Sequence, residues 1–144
     1  MSSQSSETAH SAHDSQTVQD ATATAVAGSV KTSDGVLEAQ TQLAGEAAGD
    51  RTTPEHLMAA ATAACLQQSI GIAASTQDVD ASDAQVTAHV VLTTAEEAGY
   101  TSHITLEVSG LADDVAERVL EQAQQICPFT KALAGSDLTV KLAA

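Results

Sequence analysis

Apolar and polar positions alternate with a period of two in the middle of the chain. Val86, Ala88, Val90 and Leu92 interleave with Thr87, His89 and Val91, and Ile104, Leu106 and Val108 repeat the pattern further on. Residues 84–94 and 100–109 are therefore predicted to be strands, joined by AEEAG. Upstream, TATAVAGSV and VLEAQTQL flank Ser33–Gly35. Asp34-Gly35 is a turn signal, so a β-hairpin over 22–43 is expected, followed by the loop GEAAGD at 45–50. The period becomes helical after Gly110. Val115, Val119, Leu120, Ala123 and Ile126 share one face, while Asp113, Asp114, Glu117, Arg118 and Glu121 face solvent. Pro128 must end or kink this helix near Cys127, with a restart in PFTKAL, and DLTVKLA at 137–143 reads as a last strand.

A second helix has a different character. Thr53 serves as N-cap, Pro54 suits the first helical position and Glu55 places a negative charge in the first turn. With Thr52 as cap instead, Glu55 completes a capping box. The helix runs to about Ala74, and its AAATAA segment is small on every side, so it is expected to be central and buried. The order ββ, α, ββ, α, β makes the fold α+β rather than a doubly wound parallel sheet. Residues 1–19, poor in apolar side chains, are expected to form a disordered polar tail, leaving 20–144 as one domain. His10 and His13 in that tail are read as solvated.

Composition narrows the partners. The chain of 144 residues has no Trp, with Tyr100 and Phe129 its only aromatics, so Ala, Val, Leu and Ile must fill the core. Burying a Leu or Val is worth roughly 1.5 to 3 kcal/mol and Ala much less, which favours burial shared with a second subunit. The net charge is −14, with only Lys31, Arg51, Arg118, Lys131 and Lys141 against 19 acidic residues. Phosphate binding needs clustered cations, so nucleic acid and anionic membrane surfaces are excluded as partners. No apolar run approaches the length of about 20 residues that spans a bilayer, and the N-terminus lacks a signal-peptide pattern. The expected location is the cytoplasm. The acidity fits a soluble surface, or a cytosol rich in salt that screens self-repulsion.

Two cysteines remain. Cys65 sits among small apolar residues, the setting of an inert thiol, whereas Cys127 precedes Pro128 at a helix break, where N–H groups of the following turn can stabilise a thiolate. In a reducing compartment such thiols are redox-active or metal-binding more often than a permanent staple. Neither CxxC nor HxxxH occurs, and the cysteines are 62 positions apart, so no metal or cofactor is expected. His89 and His103 read as surface side chains on their strands. A thiol of pKa about 8.5 is only about 3% ionised at pH 7, so a nucleophilic cysteine here needs help.

TPEHLMAAATAAC resembles the segment N/T-P-E-x-L-x-x-A-x-x-A-C of the OsmC and organic hydroperoxide resistance (Ohr) proteins, and ICPFTKAL resembles their C-P-[YFV]-[ST]-x-A segment. SDGVLEAQ is similar to the hairpin that precedes them, and the likeness covers about residues 20–143. It implies antiparallel sheets packed around two central helices in an intertwined homodimer with active sites at the subunit interface. It also implies a thiol peroxidase acting on organic hydroperoxides or hydrogen peroxide, with Cys65 the peroxidatic thiol, Cys127 the resolving thiol and Glu55 the carboxylate that orients an arginine. The resulting disulfide would be reduced by a dithiol, of lipoyl type or a small thiol. One position departs. The family's arginine in the first strand aligns with Val26, and no arginine precedes Arg51, which is either its substitute or a loop charge. Glu55 and Cys65 are ten residues apart, about 15 Å along a helix, so Glu55 would have to reach Cys65 of another subunit. A non-catalytic stress protein that binds a small apolar ligand is the other reading, favoured by Val26.

Overall fold

A computed structural model describes residues 15–46 and 49–144; His10, His13 and most of the polar tail lie outside them. The chain divides into two compact units, the first taking the described residues up to Gln42 and 49–51, the second Leu43–Glu46 and Thr52–Ala144.

The N-terminal unit is a small antiparallel sheet of β1 (Ala23–Val26), β2 (Ser29–Thr32) and β3 (Glu38–Gln40), in that order. The single strand expected for TATAVAGSV is in fact two. Val26 pairs with Ser29 across a two-residue turn at Ala27 and Gly28, whose φ values are 49° and 83°. Those signs match the hairpin turn whose twist suits its strands, and Gly28 takes its conformation without the steric cost a side chain would bear. The Ser33–Gly35 turn forms as expected. Asp34 accepts hydrogen bonds from the Thr32 hydroxyl at 2.6 Å and the Val36 N–H at 3.0 Å, and these hold its carboxyl below the ordinary pKa. Residues 15–22 carry no helix or strand, and no described side chain of this unit is fully buried.

The C-terminal unit holds the core. β4 (Gln85–Ala95) and β5 (Gly99–Ser109) pair antiparallel from Gln85↔Ser109 to Ala95↔Gly99. That register puts Val86, Ala88 and Val90 on the same face as Ile104, Leu106 and Val108, the alternation read from the sequence. β6 (Leu138–Leu142) pairs with β5 in parallel, so this sheet is mixed rather than antiparallel throughout. The crossover through α2 (Asp113–Ile126) and α3 (Pro128–Ala132) returns the chain in the same direction. Gly110, at the turn between β5 and α2, has φ 86°, and a Cβ there would stand 1.9 Å from the Asp83 carbonyl oxygen.

Across the apolar face of the sheet lies α1 (Pro54–Thr76), capped by Thr53, whose hydroxyl accepts from the His56 N–H at 3.1 Å. Thr62, Leu66, Ser69, Ile70, Ala73 and Ala74 form its buried stripe, and Leu66, Ile70, Leu106, Val119 and Cys127 form the centre of the core. Its far end is tied to α2, because Arg118 Nε donates to Gln77 Oε1 at 2.7 Å and Gln77 Nε2 to Gln122 Oε1 at 2.5 Å. Two expectations for this helix need correction. It is not buried all round: Met58 is 40% and Ile72 59% exposed, since the sheet and the α2 and α3 helices leave part of its surface uncovered. It is also long and apolar enough to cross a membrane, because a run of alanines interrupted by few charges scores as apolar; 33% of that stretch is buried inside the fold.

Candidate active site

Position 65 falls on α1 near its buried stripe, between Thr62 and Leu66. Its thiol is therefore half-buried rather than enclosed. Cys127 is the hinge residue between two helices. Its N–H closes α2 on the Ala123 carbonyl at 2.8 Å, its carbonyl accepts the Lys131 N–H of α3 at 3.2 Å, and Pro128 occupies the first helical position after it. The break that Pro128 imposes thus turns Cys127 inward, where it is 0% exposed.

The fold brings these thiols together. The Cys65 and Cys127 Sγ atoms are 3.6 Å apart, both cysteines being free. A disulfide of about 2.05 Å needs the sulfurs to close by roughly 1.5 Å, within reach of side-chain rotation in a backbone that already juxtaposes them. Their surroundings differ. Burial pushes the Cys65 pKa up, opposed by the Phe129 N–H and reinforced by its neighbour Cys127. Burial also opposes ionisation of Cys127, but the Thr130 N–H and hydroxyl, the Cys65 thiol and the Phe129 N–H outweigh it and bring its pKa below the ordinary value. Thr130 went unnoticed in the sequence. It is buried, its hydroxyl bonds the Cys127 carbonyl at 3.2 Å and the Gln124 carbonyl at 3.3 Å, and it fixes the turn around the sulfur. The signal was present: Thr at the third position after a residue that caps a short helix.

Glu55 lies in the first turn of α1, and the helix is continuous from Pro54 to Thr76, so its distance of about 15 Å along the axis from Cys65 holds within one chain. Among the described residues it forms no ion pair. Arg51 belongs to the N-terminal unit, where its guanidinium donates to the Thr41 carbonyl at 3.2 Å. His103 does more than face solvent: its Nδ1 bonds Asp137 and its Nε2 lies 2.9 Å from the Thr93 hydroxyl. His89 stands exposed on β4. Among the described residues no three His, Cys, Asp or Glu side chains gather in a metal-binding group.

Residues 47–143 match the family model for OsmC-like protein. The chain is 34% identical over 140 residues to the organic hydroperoxide resistance protein OhrA of Bacillus subtilis (strain 168), covering 90% of this chain and 99% of that protein. Among solved structures it is similar to the organic hydroperoxide resistance protein OhrB of Bacillus subtilis, with TM-score 0.77 and 28% identity over 88% of this chain and 100% of that one. A second, an organic hydroperoxide resistance protein from Elizabethkingia anophelis with thiocyanate bound, gives TM-score 0.79 and 27% identity over 90% and 99% of the two chains.

Proposed function

The chain belongs to the OsmC-like protein family, and from that premise we propose that it is a thiol peroxidase that reduces organic hydroperoxides through Cys65 and Cys127. Similarity to OhrA supports a role in organic hydroperoxide resistance. The observation that carries the finer reading is the pair of free thiols 3.6 Å apart, one half-buried and one enclosed. Cys65 attacks the peroxide oxygen and becomes a sulfenic acid. Cys127 then displaces hydroxide from that sulfur, forming the disulfide before further oxidation. A dithiol of lipoyl or small-thiol type restores the reduced pair by exchange.

Arg51 is the proposed cation of the site. Val26, where the family's first-strand arginine aligns, is 67% exposed. Arg51 Nη1 lies 3.7 Å from where a Cβ of Gly28 would stand, at the turn that follows Val26, which supports Arg51 as the substitute. Glu55 acts from the second subunit of a homodimer. Support for that assembly comes from the uncovered side of α1, where Met58 and Ile72 are exposed among alanines and Gly71. The reaction belongs in the cytoplasm, and the charge of −14 suits one rich in salt.

The test is a count of free thiols before and after one equivalent of cumene hydroperoxide per chain, without reductant. Both thiols should disappear. Unchanged thiols would overturn the peroxidase reading and favour the non-catalytic apolar-ligand binder, which Val26 in place of arginine supports.

A further inference from the structure

Each of the two cysteines has its backbone tied by a buried hydroxyl. On α1 the Ser69 side chain, 4% exposed and one turn after Cys65, donates to the Cys65 carbonyl at 3.0 Å. Between α2 and α3 the Thr130 hydroxyl, on a residue 8% exposed, shares its proton between the Cys127 carbonyl at 3.2 Å and the Gln124 carbonyl at 3.3 Å. The Cys127 N–H is held as well, by the Ala123 carbonyl at 2.8 Å. Hydroxyls that bond back to a carbonyl one turn earlier are common in helices and bend them slightly. Thr62 does the same to the Met58 carbonyl at 2.8 Å, so the bond by itself is no signal. Its placement is the signal: the two residues whose sulfurs lie 3.6 Å apart both carry it, on different elements.

Resting on the peroxidase reading above, we propose that Ser69 and Thr130 are positioning residues for the resolving step, holding the Cys65 and Cys127 backbones where the sulfurs close by side-chain rotation alone. A sulfenic acid at Cys65 escapes further oxidation only if Cys127 reaches it before a second peroxide does. In that step the Cys127 sulfur bonds to the Cys65 sulfur and the S–O bond of the sulfenic acid breaks. The oxygen leaves with the Cys127 proton as water, and no outside oxidant or reductant takes part. The sulfurs must approach by roughly 1.5 Å to reach the disulfide length of about 2.05 Å. Drift of either backbone misplaces the attacking sulfur, and misplacement by about 1 Å can slow a reaction about 100-fold. Thr130 also bonds the Cys127 sulfur, whereas Ser69 is not among the groups acting on the Cys65 sulfur, so Ser69 separates positioning from ionisation.

The experiment mixes the reduced full chain with dithiodipyridine, which reads the same sulfur–sulfur closure without peroxide. Cys65, the half-buried thiol, attacks the reagent and releases a first thiopyridone. Cys127 then attacks the mixed disulfide and releases a second, in a phase independent of reagent concentration. Ser69→Ala and Thr130→Val should each slow that second phase about tenfold and leave the first within about twofold of the parent's. The deficit should persist at about pH 10, where ordinary thiols are ionised, because it concerns position. Thr130→Ser, which keeps the hydroxyl, should restore the rate. Thr62→Val removes a buried hydroxyl whose partner is the Met58 carbonyl and should leave both phases unchanged. In excess cumene hydroperoxide the slowed variants should accumulate Cys65 sulfinic acid by mass spectrometry while the parent forms the disulfide. A second phase equal to the parent's in either Ser69→Ala or Thr130→Val, or slowing as large in Thr62→Val, would overturn the proposal. If Thr130→Val fails to fold, Ser69→Ala carries the same decision. A parent that exchanges in two phases yet does not react with cumene hydroperoxide would overturn the peroxidase reading instead, and the exchange alone would then judge the positioning.

Discussion

The two units are built from similar short-range signals yet differ in what holds them. The N-terminal unit has three strands of three or four residues and two well-formed turns, but no fully buried side chain among its described residues. The C-terminal unit buries Leu66, Ile70, Leu106, Val108 and Val119 in one cluster and places Cys127 inside it. Turn chemistry fixes where a chain reverses, whereas burial supplies most of the free energy that keeps it folded. The thiol pair sits in the unit that burial stabilises. The only arginine outside that unit, Arg51, sits in the one that turns define.

The largest expected effect tests that difference directly. Leu66 is 0% exposed and adjoins Cys65 on α1, so Leu66→Ala should cost about 2 to 5 kcal/mol of unfolding free energy and loosen the thiol contact. Val36→Ala, at an 86% exposed position beside the Ser33–Gly35 turn, should change stability by less than about 0.5 kcal/mol. Urea unfolding of both variants measures the gap. Equal costs would mean that the N-terminal sheet is covered as thoroughly as the core, and the contrast would collapse.

Much of this was legible from periodicity. The faces of β4 and β5, the cap at Thr53, and the break before Pro128 are local properties, set by side-chain alternation, a hydroxyl and a missing N–H. The second N-terminal turn was missed because Ala27-Gly28 carries half the usual signal; glycine permits the positive φ, but alanine gives no hint that it will follow. The parallel pairing of β6 was hidden because strand direction depends on the whole α2–α3 crossover rather than on DLTVKLA. The thiol pairing could be anticipated only from the family resemblance, since 62 intervening residues leave no local trace of a 3.6 Å contact. Which sulfur is enclosed, and the part Thr130 plays, emerged only once α2 and α3 were seen to turn Cys127 inward.

A second variant sharpens the comparison by separating activity from stability. Arg51→Ala removes one exposed hydrogen bond, to the Thr41 carbonyl, and should leave unfolding within about 0.5 kcal/mol of the parent. If Arg51 stabilises the alkoxide oxygen that departs as Cys65 attacks and the peroxide O–O bond breaks, the first-turnover rate should nonetheless fall about tenfold, equivalent to about 1.4 kcal/mol in the transition state. The loss should persist at high pH, because it concerns the departing oxygen rather than ionisation of the thiol. An unchanged rate would return Arg51 to the role of a loop charge.

The smallest effect is expected inside the stable unit itself. His103 and Asp137 form an ion pair when the imidazole is protonated, joining β5 to the residue before β6, but their side chains are 39% and 58% exposed. Thr93 completes the chain of hydrogen bonds on the solvent side of the sheet. Exposed pairs contribute about 0 to 1 kcal/mol, and the Debye length falls to about 3 Å in 1 M salt. His103→Ala should therefore lower stability by less than about 1 kcal/mol at pH 6 in dilute buffer, with the difference shrinking in 1 M salt. Urea titrations under the two conditions provide the measurement. A salt-independent cost as large as that of Leu66→Ala would show that this face is held by something other than a screened surface pair. The expected result instead places the boundary between costly and inexpensive positions through the β4–β5–β6 sheet: its helix-facing side behaves as core, while its outer side tolerates change as the N-terminal strands do.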